Sequence, residues 1–280
     1  MKAIERRITN DLRIRDLVPL VAITFSITWG VFALYVLAPE NVLSHLGELN
    51  GKHPLFYLAV YAPAIAAITV ILTRSGVTGL RRFCGRFNFW GLSKGWTLFV
   101  VLIVPLPFFL GAIVQGGWGS PAMGSLGSVL AAMLLMLIKG PVEEIGWRGA
   151  VLPLLQRRMK PLLAALVVGV IWGLWHLPAF LLSGTPQSSW NFGAFFCGTL
   201  ALSVIVTALY NRSRGSLWVA VFFHFQMNNP LWPDGQPYDT VFFLLLAVVV
   251  TAVEWQSMWN GQGIVTEVIP LGSQVRSAVR

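Results

Sequence analysis

Charge is what this sequence has least of. Asp, Glu, Lys and Arg together make up 11% of its 280 residues, where a soluble domain carries about a quarter. With 56% hydrophobic residues and a mean hydropathy of +0.70, a water-soluble globular fold is excluded. Cysteine is nearly missing as well. Cys84 sits in a basic loop and Cys197 in an apolar run, which leaves neither a disulfide framework nor a CxxC redox pair. No Ser-His-Asp grouping, G-x-S-x-G or H-E-x-x-H is present, so serine and zincin chemistry lack their parts. There is no repeat of fixed period and no low-complexity segment. Acids are outnumbered, 11 against 20 Lys and Arg, but the cations lie in short loops between apolar runs. That placement suits a lipid bilayer and argues against a nucleic-acid partner.

What the chain has in quantity is apolar length, together with 12 Trp and 18 Phe. Runs of about 18 residues or more are candidate spans. They fall near 17–38, 55–73, 96–115, 126–156, 161–182, 191–211, 216–228 and 239–258. The expected fold is therefore an all-α polytopic membrane bundle of about eight helices. The fourth run is too long for one straight crossing and is predicted to break at Gly140–Pro141; the seventh is short and is predicted to stop inside the bilayer. Lys2, Arg6, Arg7, Arg13 and Arg15 precede the first run in the manner of a signal peptide. That run is long, carries Trp29–Gly30 and has no A-x-A-like exit, so a retained span is expected. On this layout seventeen Lys and Arg fall on one side and only Lys52 on the other. The asymmetry predicts both termini in the cytoplasm, and the cell membrane as location in a prokaryote. Gly169 and Gly173, spaced as in GxxxG, suit close helix approach.

Against this background Lys139, Glu143, Glu144, Arg148, His176, His224 and Asn228 stand out, because intramembrane polar groups usually mark a working site. Each central charge costs ~2.5–3.5 kcal/mol on insertion scales, so their helix must be screened by others. Helical rise puts Glu143 about 21 Å and Glu144 about 20 Å from Arg157, and His176 about 24 Å from Lys160. His224 lies about 15 Å and Asn228 about 21 Å from Arg214. Three helices thus bring polar groups to similar depth. Glu144 and Arg148 are i and i+4, which suits a structural ion pair, and His224 and Asn228 share that spacing. Glu143 and Glu144 cannot share a face, which suggests different jobs. Lys139 has two open readings: neutralising Glu143, or reaching toward the far interface. His45 and His53 read as solvated loop residues.

These residues resemble a known family. Glu143-Glu144-x-x-x-Arg148, within PVEEIGWRG, is similar to the first motif of the type II CAAX prenyl endopeptidases, the CPBP or Abi group of intramembrane proteases. WGLWHLP resembles the second motif, with Trp172 where Phe is usual, four residues before His176. GSLWVAVFFHFQMNN resembles the third, with His224 and Asn228 in H-x-x-x-N spacing. The similarity covers roughly residues 125–230, taken as a catalytic core between an N-terminal unit 1–124, with its basic loop, and residues 231–280, a last span with a short tail that carries no interpretable motif.

The resemblance implies an eight-helix peptidase acting near the C-terminus of a protein or peptide in the membrane, CAAX-like and lipidated in eukaryotes and varied in prokaryotes. Glu143 would activate water with help from His176. His224 and Asn228 would hold the oxyanion, while Glu144 and Arg148 brace the helix and tune the field. The chemistry agrees independently, since amide hydrolysis needs a base and donors aimed at the developing oxyanion. The family is often labelled metalloprotease. Glu143, His176 and His224 could hold zinc with an open position, although the preferred reading requires no cofactor. Two rivals stay open: a transporter, which predicts duplicated spans that are not seen, and a catalytically silent immunity-type partner on the same scaffold.

Overall fold

The computed structural model describes residues 11–117, 125–182 and 184–270, and among these every regular element is helical. Lys2, Arg6, Arg7, Arg276 and Arg280, which the charge count included, lie outside the described residues. The helices are α1 (Leu17–Leu37), the short α2 (Pro39–Leu46), α3 (Pro54–Cys84), α4 (Lys94–Val114), α5 (Leu126–Gln156), α6 (Pro161–Trp175), α7 (Phe192–Arg212), α8 (Leu217–Met227) and α9 (Asp239–Val253). Six of them, α1 and α3 to α7, are long and apolar enough to cross a bilayer, α6 together with the 3-10 turn that carries it on to Leu181. The other two predicted spans are apolar helices of 11 and 15 residues, α8 and α9. The protein is a multi-pass helical membrane protein.

Packing follows the small residues. α6 lies along α7, where side chains at Gly169 and Gly173 would meet Leu200 Cα at 3.0 Å and Phe196 Cδ2 at 2.6 Å. Their lack of a Cβ permits the approach expected from the spacing. α1 packs on α3, α7 on α9, and α9 on the second half of α4. One apolar cluster runs through these contacts, with Trp147, Leu154, Val168, Ile205 and Phe223 at its centre.

α3 continues beyond its expected end at residue 73 to Cys84, with a kink at Gly76 (φ 63). Its continuation is anchored by Arg74 Nε, which donates to Asp16 Oδ1 at 2.9 Å below α1. α5 breaks where the sequence predicts. Its first segment ends at Lys139, Gly140 starts a 3-10 turn over Pro141–Glu143, and a wide π-turn covers Trp147–Val151. Such irregular turns inside helices are common at functional sites. The break in α5 and the C-terminal ends of α6 and α8 meet at one end of the bundle. The basic loops at Arg157 and Arg214 occupy the other.

At that basic end the last described residues are held as a strap. Val265 N donates to Asn211 Oδ1 at 3.1 Å, and Gln156 Nε2 donates to Val265 O at 2.7 Å. Arg157 Nε donates to Thr266 O at 2.6 Å and Ile269 N to Asp11 Oδ1 at 3.0 Å. Arg86, 3% exposed, donates to the carbonyls of Val268, Gly215 and Glu267.

Candidate active site

Glu143 leaves the 3-10 turn of α5 pointing into the bundle at 4% exposure. Its Oε2 accepts a hydrogen bond from the indole N–H of Trp172 at 2.8 Å. The Trp172 ring also faces both imidazoles, its centroid 5.8 Å from that of His176 and 5.4 Å from that of His224. One indole therefore sits among the acid and the two histidines. In the sequence Trp172 shows only as a departure from the usual Phe, and nothing there marks its hydrogen bond to Glu143.

The tautomers can be derived. His176 Nδ1 lies 2.8 Å from the Trp172 carbonyl, which can only accept, so Nδ1 carries the proton and Nε2 keeps its lone pair. His224 Nδ1 lies 2.7 Å from Glu144 Oε1, and Arg148 Nη1 donates to the same oxygen at 3.0 Å. Glu144 thus pairs with Arg148 as the spacing suggested, and holds His224 as well. Arg148 is fully buried, with its guanidinium 4.9 Å over the Trp172 ring. The ion pair and the ring offset part of the cost of burying that charge, while Nε and Nη2 have no hydrogen-bond partner.

His224 Nε2 and Asn228 Nδ2 converge on Gly140. A methyl there would lie 3.1 Å from His224 Nε2 and would overlap Asn228 Nδ2. Gly140 is thus required by close approach, a second feature that sequence reasoning treated only as a helix break. Lys139 does not neutralise Glu143. Its Nζ lies 4.7 Å over the Phe56 ring and against Gly51, in the loop that carries Lys52, and makes no ion pair with Glu143.

Glu143, His176, His224 and Asn228 all line a cavity of about 180 Å3 between α1, α3 and α5, together with Thr28, Phe56 and Lys139. A second cavity, of about 350 Å3, lies toward α7 and α9 and shares His176, His224 and Asn228 with the first. Glu144 and Arg148 line neither. Among the described residues no three His, Cys, Asp or Glu side chains stand close enough to share a metal ion, so Glu143, His176 and His224 do not form a ready zinc set in this geometry.

A buried carboxylate, two imidazoles and an amide gathered inside a membrane bundle are groups that amide hydrolysis draws on. Residues 123–229, which contain every one of these groups, match the family model described as type II CAAX prenyl endopeptidase Rce1-like. The chain is also similar to CAAX prenyl protease 2 of Methanococcus maripaludis, 27% identical over 231 residues that cover 74% of this chain and 85% of that protein. Over these residues the chain is similar to this family of membrane proteases.

Proposed function

We propose that the protein hydrolyses a peptide bond near the C-terminus of a membrane-associated, CAAX-like or lipidated substrate, using water activated by Glu143 and His176. The observation carrying this reading is the single cavity lined by Glu143, His176, His224 and Asn228. Glu143 takes a proton from water while the His176 Nε2 lone pair orients it. The nascent hydroxide adds to the scissile carbonyl, and negative charge develops on its oxygen. Asn228 Nδ2 and a protonated His224 Nε2 donate to that oxygen beside Gly140. Glu143 then returns the proton to the departing nitrogen as the C–N bond breaks, leaving one carboxylate and one amine. Glu144 and Arg148 act as positioning residues: they fix the His224 ring through Nδ1. No metal is needed for these steps.

With the basic loops cytoplasmic, both termini are cytoplasmic and the cavity lies in the opposite half of the bilayer. The test compares C-terminal peptides of membrane proteins from cells carrying the wild type, Glu143→Gln or His176→Ala, with a chelator-treated wild-type sample in parallel. Shortened C-termini should vanish in both variants, with kcat/KM down about 10²–10⁴-fold on an isolated substrate, and should persist with chelator. Shortened ends that persist in Glu143→Gln at normal protein level would refute the mechanism.

A further inference from the structure

The second cavity carries an acid that the hydrolytic steps do not use. Asp239, at the N-terminus of α9, lines it at 2% exposure, and its Oδ1 has no hydrogen-bond partner. Gln187 Oε1 and Gln236 Oε1, on the same wall, are likewise buried without partners. The two amides can turn either face toward a ligand, but a carboxylate oxygen cannot become a donor without a proton. Asp234 adds a second acid, held in place by Trp190 Nε1 at 3.2 Å and by the backbone N–H of Gln236 at 3.0 Å.

The rest of the wall is aromatic, with Trp190 and Trp232 among the lining rings, and no Lys or Arg lines it. The geometry is fixed tightly. Gly111 and Gly235 let α4 meet the loop before α9 so closely that a methyl on Gly111 would lie 2.6 Å from Asp239 N. A buried acceptor without a donor is costly, and carboxylates beside indole faces are the usual chemistry for binding an organic cation. The first cavity, by contrast, holds one cation and one acid, Lys139 and Glu143. The two meet at Met136, His176, Gln187, Trp190, His224 and Asn228, so Asp239 and Trp232 belong to the second cavity alone while Trp190 borders both.

We propose that this second cavity is a specificity subsite for a positively charged group of the peptide substrate, a lysine or arginine side chain or a free amino terminus, held by Asp239 between the Trp190 and Trp232 rings. This rests on the peptidase reading and extends it. A cation there and the substrate's remaining length in the Lys139 cavity place the scissile bond across the shared histidines and set the direction in which the chain lies.

The test is binding to the full-length Glu143→Gln protein in lipid nanodiscs. The probes are capped leucine–alanine peptides with one central lysine, with norleucine or glutamate in its place, and an uncapped norleucine peptide with a free amino terminus. The lysine peptide should bind about tenfold or more tighter than the capped norleucine peptide, and a further Asp239→Asn change should abolish that difference. A comparable advantage of the uncapped peptide would assign the site to an amino terminus. Equal binding of the lysine, uncapped and capped norleucine peptides, or no binding by any, overturns the proposal. So does a preference that survives Asp239→Asn. If Asp239→Asn does not fold, the peptide comparison with Asp239 intact still decides. Cleavage by protein with Glu143 intact is scored separately: a cation preference in binding without any cleavage would sink the peptidase reading and leave the subsite standing.

Discussion

At the scale of single residues, Trp172 does what the usual Phe of the second motif cannot. Its N–H donates to Glu143 Oε2 at 2.8 Å while its face packs against His224 and the Arg148 guanidinium. A hydrogen bond to a charged acceptor is worth ~1.5–3 kcal/mol. Trp172→Phe keeps most of the ring contact and removes only the donor. It should lower kcat about tenfold and leave KM close to wild type, because the lost contact positions the base rather than the substrate. Trp172→Leu, which removes the ring as well, should cost more. Equal steady-state constants for Trp172→Phe and wild type would show that the hydrogen bond is incidental. The polar residues themselves were legible from the sequence because polar groups at bilayer depth are few. The Trp172 donor was not, since aromatic substitutions in an apolar helix look conservative until the ring's direction is known.

Among the elements, α5 carries the site because it breaks. Gly140 and Pro141 end its first segment, and the 3-10 turn that follows swings Glu143 into the cavity while Glu144 turns toward Arg148 and His224. Helical spacing already separated the two acids onto different faces. It could not show that the break also makes room for His224 and Asn228, since that depends on how α8 meets α5 across the bundle. Gly140→Ala tests this directly. Its methyl would overlap Asn228 Nδ2 and press on His224 Nε2, so both proposed oxyanion donors must shift. The expected loss is about 10²–10³-fold in kcat, the usual cost of an oxyanion donor, with thermal stability near wild type. Undiminished kcat in Gly140→Ala would remove these two side chains from the oxyanion role.

For the whole molecule, the two ends of the bundle are built differently. One end holds the two cavities of the candidate site; the other is closed by the strap at 264–270, where the sequence shows only a tail without a motif. Its backbone polar groups are met by side chains scattered from Asp11 to Asn211, a pairing that no local pattern announces. Arg86→Ala would remove the donor from the carbonyls of Val268 and Gly215, and at ~1–3 kcal/mol for each buried unmet group it should lower the melting temperature in detergent markedly. An unaltered melting curve would make the strap a passive cover. The basic residues at this strapped end predict its cytoplasmic side, and the native chain offers a reporter. Cys84 is exposed at the end of α3, next to Arg81 and Arg82. With the other exposed cysteine removed by Cys197→Ser, a membrane-impermeant maleimide should label Cys84 in everted vesicles and not in intact cells. Lys52→Cys, placed in the loop beside Lys139 after Cys84→Ser, should give the reverse pattern. Labelling of Cys84 from outside intact cells would invert the assignment and turn the active-site cavities toward the cytoplasm, where a lipidated cytoplasmic protein could reach them directly. Labelling from inside alone restricts the substrate to chains that reach the site from the bilayer or from its far side.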